Sequence, residues 1–527
     1  MAASRRGVLG NVFTVGGFTA LSRVLGFVRE MMQSRLLGAG MEQSAFTLAF
    51  SLPNMTRKIF GEGALSSAFV PVFKAEVDSG DAETARRLSR AVLTTLLAVL
   101  GSAAALVVIG LTAYLSAKSG ISPRWELIAR LVRILAPYMV FICGAAFGMA
   151  VLNSLGRFTE GAVMPALLNV AWIAALAGLW FFPGLSISSR AAVVCWAILG
   201  GGLLQMLFLL HCMRRRGFAF RPLRPSRLAP GRESEAFRKV WRNTLTAALG
   251  AGAVHVNCML DQVLAQAAAP WAAGAIGYAE RLMDLPLGVV GVAFGTVLLP
   301  TFSGLFARGD MDGARNALSS SVRQMMFVML PAGAALFALA PEAVSIVYEG
   351  RAFDSVATVR VSRALAVYAL GLGFFGLQKA LVPWFHAQND MKTPLRVAVR
   401  MVFLNAALNI AAVKFLPVEW RHAGLAASTV FCSAVGAALL VANASRKNGG
   451  IGLASAVGPV AATAAAAVCT GLAIAAMRPV VAGLPRFAAF AVLAASGLAA
   501  YALLAALFMR RELKGLSRIV RRRRGNG

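Results

Sequence analysis

The sequence predicts an all-α polytopic membrane protein with 14 transmembrane helices, arranged as two parallel six-helix repeats plus two C-terminal helices. Composition, recurring apolar segments and an internal repeat predict this class. The 527 residues are 58% hydrophobic and only 14% charged, and the mean hydropathy is +0.70. A water-soluble protein of this size cannot bury so much apolar surface. The apolar segments do not alternate by twos, which argues against a transmembrane β-barrel.

Fourteen apolar segments are long enough to cross a bilayer, for which a helix needs about 20 residues. Lys and Arg concentrate in every second connection, so the positive-inside rule places both chain termini in the cytoplasm. The connection around 348–363 lies on the outer side but carries three arginines, together with Glu349 and Asp354. The predicted spans are 9–37, 43–72, 88–115, 126–155, 160–182, 189–212, 240–268, 272–305, 320–347, 358–386, 394–416, 422–445, 454–477 and 486–509.

An internal repeat relates residues 70–86 to residues 299–315 at a constant separation of 229 (300 − 71). Because an even number of spans separates the copies, the two halves have the same orientation in the membrane. Such parallel repeats are typical of transporters whose substrate site lies between the halves near the midplane. The matched pairs are Pro71/Pro300, Phe73/Phe302, Gly80/Gly309, Asp81/Asp310, Ala85/Ala314 and Arg86/Arg315.

The repeat and the charge distribution together predict five parts of the chain. The last two apolar spans have no counterpart in the repeat and form an appendage. The parts are an N-terminal six-helix lobe (1–215), a basic cytoplasmic linker (216–236), a C-terminal six-helix lobe (237–447), two extra transmembrane helices (448–510) and a basic cytoplasmic tail (511–527).

The net charge of +30 does not indicate nucleic-acid binding. The basic residues lie in short loops and in the tail, where they face anionic membrane lipid at the cytoplasmic surface. The six cysteines are scattered singly without metal-ligand spacing, and no Walker A pattern is present. The sequence therefore predicts neither a metal cluster of cysteines nor an ATP-driven enzyme.

Arginines inside predicted spans are the main functional signal. Arg23 falls at the midpoint of the span 9–37, and Arg29 lies about 9 Å further outward at 1.5 Å per residue. A charge at the bilayer centre costs about 2.5–3.5 kcal/mol on insertion scales. Arg35 lies near the outer end of this span, where it is expected to anchor the helix at the interface.

Two further spans carry charges beside a proline, which is expected to kink each helix. Arg57 follows Pro53, and Arg281 precedes Pro286. Arginine binds phosphate or carboxylate in a bidentate manner and stays charged, so the four arginines predict a cavity for an anionic, phosphorylated substrate. The alternative is that they form buried salt bridges with the acidic residues of the same helices, Glu30, Glu62, Glu280 and Asp284.

A second set of polar residues lies in three otherwise apolar spans: Asp261, Asn405, Asn409 and Thr429. A carboxylate, amide oxygens and a hydroxyl are suited to Na⁺ or to a proton. The alternative is a set of ordinary polar contacts between helices.

Several stretches resemble the MurJ (MviN) family of lipid II flippases, which is part of the multidrug/oligosaccharidyl-lipid/polysaccharide exporter superfamily. The resemblance implies that the chain moves lipid II, the undecaprenyl-diphosphate-linked disaccharide-peptide, from the inner to the outer leaflet of the bacterial cytoplasmic (inner) membrane. Transport by alternating access would serve peptidoglycan synthesis and would make or break no bond. The stretches that carry the resemblance are "SRVLGFVRE", "GAGMEQSAF", "LPNMTRKIFGEGALSSAFVPVF", "AERLMDLPLGVVGVAFGTVLLP" and "HAQNDMKTP".

The resemblance also implies roles for individual residues. The family's essential cavity arginines match Arg23, Arg29, Arg57 and Arg281, and its sodium site matches Asp261, Asn405, Asn409 and Thr429. The two extra helices would form a groove for the lipid tail. Ser44 stands where the family commonly has Asp, so a gating role for that carboxylate does not transfer.

Three other functions share part of this evidence. A flippase of another polyprenyl-diphosphate glycan needs the same cavity, and only the family signature separates it. A cation-coupled drug antiporter of the same superfamily would need an acidic cavity. A membrane scaffold would tolerate replacement of the arginines by alanine.

Overall fold

A computed structural model describes residues 2–117, 120–510 and 512–513, without the side chains of 2–15, 61–62, 249–258, 289, 292–293 and 296. These residues form helices joined by short connections, with no named strand, which confirms the all-α class. The helices are α1 (Ala2–Leu37), α2 (Met41–Thr56), a π-helical stretch (Arg57–Ala64), α3 (Leu65–Asp78), α4 (Ala82–Ala117), α5 (Pro123–Leu135), α6 (Tyr138–Ser154), α7 (Thr159–Trp180), α8 (Ile187–Arg215), α9 (Arg232–Ala268), α10 (Ala272–Ala307), α11 (Met311–Ala338), α12 (Ala340–Tyr348), α13 (Ser355–Ala387), α14 (Lys392–Phe415), α15 (Val418–Asn448), α16 (Ala454–Val481) and α17 (Arg486–Phe508).

Helices cover all the predicted spans. Among the described residues, ten helical segments are long and apolar enough to cross a membrane, with α5 and α6 counted as one segment. The other four predicted spans fall on α1, α2–α3, α9 and α10, each of which contains side chains outside the described set. The chain is a multi-pass membrane protein, and the count of fourteen spans stays a prediction.

Prolines interrupt three of the predicted spans. Pro53 precedes the π-helical stretch between α2 and α3, Pro137 separates α5 from α6, and Pro341 lies in the first turn of α12. Proline removes a helical hydrogen bond and clashes with the preceding turn, so each span bends or breaks there. At Gly63 a Cβ atom would approach the carbonyl oxygen of Lys58 to 2.9 Å, and glycine therefore permits the wide turn.

Contacts divide the chain into two compact units. The first unit comprises Met1–Val263 and Gly350–Phe353, and the second comprises Leu264–Glu349 and Asp354–Gly527. The predicted lobes at 1–215 and 237–447, the linker and the two extra helices stay a prediction of domain organisation.

The repeat register is reproduced in the local geometry of the two units. Gly80 and Gly309 both have positive φ, at +82° and +70°. The next residues, Asp81 and Asp310, each accept a hydrogen bond from the backbone N–H three residues further on, at 2.9 and 2.7 Å. The bond from the Thr84 N–H lowers the pKa of Asp81 below its usual value. Helices α4 and α11 therefore begin with the same N-cap.

Arginines near the start of α4 and α11 hold the segments that follow α8 and α15. Arg315 donates to the carbonyl oxygens of Asn448 (2.8 Å), the last residue of α15, and of Gly450 (3.1 Å), just after this helix. In the first unit Arg90 donates to the carbonyl oxygen of Ala219 at 3.2 Å, in the segment after α8. The basic segment 216–236 is thus fixed on α4 by backbone hydrogen bonds.

Candidate substrate-binding site

Arg23 lies in the middle of α1 and its side chain is exposed. It forms no ion pair with any described residue. Its guanidinium therefore keeps its hydrogen-bonding capacity, five N–H donors in a planar fork.

Arg29, two turns further along α1, is held from three sides. Its Nη2 is 2.6 Å from Oε1 of Glu30, and its Nη1 donates to Oδ1 of Asn169 at 2.9 Å. The guanidinium carbon lies 4.2 Å above the ring of Trp172, within the range of cation–π attraction. Both charged side chains are 16% exposed. We call Glu30, Asn169 and Trp172 the Arg29 clamp.

The two α7 residues of the Arg29 clamp also fix α1 to α7. Asn169 and Trp172 are 6% and 2% exposed, and they lie three residues apart on one face of α7. The Asn169 amide nitrogen also donates to the backbone oxygen of Ser22 at 3.0 Å. Asn169 therefore positions both the helix turn that carries Arg23 and the guanidinium of Arg29. The sequence analysis missed this residue, although a lone Asn in the apolar span 160–182 is a recognisable signal.

Arg57 is the first residue of the π-helical stretch. Its Nη2 and Nε atoms donate to Oδ1 of Asn54 at 3.0 and 3.3 Å, and its side chain is half-buried. Short π-helical segments occur frequently at functional sites. The local bond to Asn54 fixes the direction of the guanidinium at the break in the helix.

Arg281 lies on α10 in the second unit and is exposed, as is Asp284. The neighbouring Glu280 accepts a hydrogen bond from the Tyr368 hydroxyl at 3.2 Å. Of the four salt bridges that the alternative interpretation requires, the pair Arg29–Glu30 is present. The side chain of Glu62 lies outside the described residues. Binding of substrate by Arg23, Arg29, Arg57 and Arg281 stays a prediction.

Lys379 is a cation that the sequence analysis did not select. It lies inside the predicted span 358–386, on α13, and is exposed. If residue 291 were not glycine, its Cβ atom would lie 3.1 and 3.2 Å from the Cδ and Cε atoms of Lys379. Glycine at this position of α10 therefore leaves room for the lysine side chain. An ionisable residue at such a depth is a functional candidate.

The predicted cation ligands of the second unit lie together. Asn409 Nδ2 donates to Oδ1 of Asn405 at 3.0 Å, and Asn405 Nδ2 lies 3.5 Å from the Thr429 hydroxyl. Both asparagines are buried, at 4% and 1% exposure. Asp261 belongs to the first unit, and its participation stays a prediction. The described residues contain no group of three or more His, Cys, Asp or Glu suited to a metal.

The C-terminal end of α1 packs against Gly350–Phe353 within the first unit. The Ala352 N–H donates to the carbonyl oxygen of Arg35 at 3.0 Å. A Cβ atom at Gly350 would lie 3.4 Å from Cγ of Arg35. The Nε atom of Arg35 is buried. The Arg35 side chain therefore contacts protein at Gly350, and its expected role as an anchor at the lipid interface stays a prediction. Ser44 is also fully buried.

Comparison with known proteins places the chain in a family. The model of the family described as lipid II flippase MurJ matches residues 33–512. The chain belongs to the MurJ family. A probable lipid II flippase MurJ from Rhizobium tropici is 34% identical over 404 residues, covering 75% of this chain and 74% of that protein. The lipid II flippase MurJ of Burkholderia cenocepacia is 33% identical over 427 residues, with coverage of 79% and 80%.

Solved structures share the fold of this MurJ family member. A lipid II flippase MurJ in an inward closed conformation matches with a TM-score of 0.75 at 21% identity, over 95% of this chain and 99% of the other. An inward-facing MATE family multidrug transporter of the MOP superfamily matches with a TM-score of 0.65 at 14% identity, over 84% and 95%. These matches confirm the predicted superfamily fold.

The exposed side of α1 at Arg23 is predicted to contact water rather than lipid, because a guanidinium facing lipid is costly. In a chain whose six native cysteines are replaced by alanine, Arg23→Cys should react with a charged thiol reagent about tenfold faster than Leu106→Cys, because thiolates form in water. Leu106 is the control because it is 72% exposed on the apolar helix α4. Equally slow reaction of both variants would place Arg23 against lipid and contradict the assignment.

Proposed function

We propose that this chain is a lipid II flippase of the bacterial cytoplasmic membrane that moves the diphosphate-linked head group between leaflets by alternating access. Family membership over residues 33–512 supports the substrate class. The observation that carries the proposal is the pair of guanidiniums on α1, one exposed at Arg23 and one clamped at Arg29. No bond is made or broken in the proposed cycle, so the chain acts as a transporter and not as an enzyme.

The diphosphate binds first to Arg23 in this proposal. Arg23 has no carboxylate to displace, whereas both Nη atoms of Arg29 are already engaged by Glu30 and Asn169. Arginine–phosphate pairs are bidentate and charge-assisted, so one free guanidinium supplies a strong initial contact. Arg29 then adds a fixed positive field, and Arg57, Arg281 and Lys379 are further candidate contacts for phosphate or sugar.

The proposed orientation has both termini in the cytoplasm. The positive-inside distribution supports this orientation, and the basic tail 511–527 would contact anionic lipid there. The polyprenyl chain of the substrate is proposed to remain in the bilayer beside α16 and α17. The partner that the proposal requires is lipid II itself, and it involves no nucleic acid.

The charges favour this proposal over a cation-coupled drug antiporter. A cavity that attracts cations needs free carboxylates, whereas the acidic residue beside Arg29 is consumed by its ion pair. A flippase of another polyprenyl-diphosphate glycan has the same electrostatic requirement. The names of the curated relatives favour lipid II.

Loss of the Arg23 guanidinium should strongly reduce flipping. In cells depleted of their own flippase, the unmodified chain should restore growth and expose lipid II to an impermeant probe on the outer leaflet. Arg23→Ala should reduce this exposure about tenfold or more, because charge-assisted contacts to phosphate are lost, and Arg23→Lys should retain part of it.

Arg130→Ala is the matched control, since Arg130 is an exposed arginine that pairs with Glu126. It should behave like the unmodified chain. Rescue of growth by Arg23→Ala at equal expression would refute the role of Arg23. If the unmodified chain does not restore lipid II transport but does transport a different glycan, the proposed substrate would be refuted.

We further propose that a cation, Na⁺ or a proton, couples to the cycle through Asp261 together with Asn405, Asn409 and Thr429. The buried contacts among the last three support a polar site in an otherwise apolar environment. The carboxylate at Asp261 would supply the negative charge that such a site needs.

Removal of the Asp261 charge should change the cation dependence of transport. Asp261→Asn should lower outer-leaflet lipid II and remove its response to Na⁺ concentration or to pH. Glu419→Gln is the control, because Glu419 is an exposed carboxylate in the first turn of α15. Unchanged complementation by Asp261→Asn at all Na⁺ concentrations and pH values would rule out the coupling role.

A further inference from the structure

The second unit contains an apolar cavity of about 650 Å³ between α11, α13 and α16. Its volume falls in the range of about 300–1,000 Å³ typical of ligand sites. Alanine, glycine and aliphatic side chains form most of its wall. Its polar lining residues are Thr358, Ser362, Arg363 and Arg478.

The cavity has the depth of one membrane leaflet. Along α16 its lining runs from Ala467 to Arg478, which is about 16 Å at 1.5 Å per helical residue. Half of a hydrocarbon core of about 30 Å is nearly the same length. Arg478 lies one turn from the end of α16 and Thr358 lies in the first turn of α13, so the polar residues mark the membrane surface. The charge distribution of the loops predicts that this surface is the outer one.

The wall of the cavity is open on the side that faces the membrane. Four of its large apolar side chains are at least half exposed: Phe337 (50%), Leu370 (62%), Val468 (61%) and Leu472 (64%). Apolar surface of this extent at membrane depth is covered by lipid chains. An acyl chain can therefore enter sideways from the outer leaflet.

The mouth of the cavity carries Arg363, an arginine that the positive-inside rule does not predict on the outer face. Its guanidinium lies 4.5 Å above the ring of Trp420. Arg363 forms no ion pair with a described carboxylate. Tryptophan is enriched at the membrane–water interface, which agrees with the depth of the mouth.

The acidic residues near the mouth are engaged elsewhere. Glu342 pairs with Arg478 at 3.2 Å, and Glu349 pairs with Arg486 at 3.0 Å. The Asp354 carboxylate accepts a hydrogen bond from the Ala357 N–H at 2.7 Å and so caps α13. None of these carboxylates pairs with Arg363, so its positive charge stays available next to the apolar slot.

We propose that this cavity binds an anionic phospholipid of the outer leaflet. One acyl chain occupies the slot between α11, α13 and α16, and the phosphodiester oxygens accept hydrogen bonds from Arg363. The ring of Trp420 holds the Arg363 guanidinium at the depth of the head group. The bound lipid is a resident of the second unit, and the assignment does not depend on which substrate is flipped.

Native mass spectrometry of the purified full-length chain tests the proposal. The protein is titrated with phosphatidylglycerol and, in parallel, with phosphatidylethanolamine of the same acyl chains. We expect one tightly retained lipid, with phosphatidylglycerol favoured about five- to tenfold because it adds a net negative charge beside arginine. Equal retention of the two lipids would overturn the proposal.

Two variants locate the bound lipid. Arg363→Gln should lower phosphatidylglycerol occupancy about five- to tenfold and remove the preference over phosphatidylethanolamine. Gly471→Phe should lower the occupancy of both lipids, because the added ring would fill the slot. There is space for it: the nearest atom of a neighbouring helix to a Cβ at this position is the Ala334 backbone oxygen, at 3.9 Å.

Lys414→Gln is the matched control, since Lys414 is an exposed cation at the end of α14 that does not line the cavity. It should bind phosphatidylglycerol like the unmodified chain. If Arg363→Gln and Gly471→Phe, each with an unchanged unfolding temperature, bind like the unmodified chain, the site is wrong. Displacement of the retained phosphatidylglycerol by an equimolar polyprenyl diphosphate would also overturn the phospholipid assignment.

Discussion

The ion pair between Arg29 and Glu30, with Asn169 and Trp172 around it, is the interaction on which the proposed site depends. A lone guanidinium in the bilayer is costly, and α1 carries two of them within two turns. The Arg29 clamp compensates one charge through a carboxylate, an amide oxygen and an aromatic face. Because Asn169 also bonds the backbone at Ser22, the same contacts fix the turn of α1 that presents Arg23. One arginine is thereby built into the scaffold and the other stays available.

The arginines of this chain fall into three structural groups. Arg90 and Arg315, on the N-terminal parts of α4 and α11, donate to backbone carbonyl oxygens of the segments that follow α8 and α15. On α1, Arg29 contacts Glu30, Asn169 and Trp172, whereas Arg23 is exposed. Arg360 and Arg363, near the start of α13, stack on tryptophan. Net charge alone therefore says little about partners, because the depth and the contacts of each arginine decide its role.

The sequence predicted the features that depend on periodicity and composition. Apolar length located the helices, and the 229-residue register paired Asp81 with Asp310, which the structure then shows as equivalent helix caps. It did not reveal that Asn169 reaches Arg29 from 140 positions away, because no local pattern encodes such a contact. Pro53 predicted a kink but not the π-helical stretch, which also requires Gly63. The sequence left open whether Arg29 pairs with an acidic residue or stays available to a substrate. The side-chain geometry was needed to show that it pairs with Glu30.

Affinity for a short-chain polyprenyl diphosphate, measured on the purified chain together with its unfolding temperature, tests the central claim most directly. The account predicts that Arg23→Gln lowers affinity about tenfold with an unchanged unfolding temperature. Arg29→Gln should lower the unfolding temperature by several degrees, since Asn169 and Glu30 lose the guanidinium that joins α1 to α7. Wild-type affinity in Arg23→Gln, or a wild-type unfolding temperature in Arg29→Gln, would contradict the division between an available and a structural arginine.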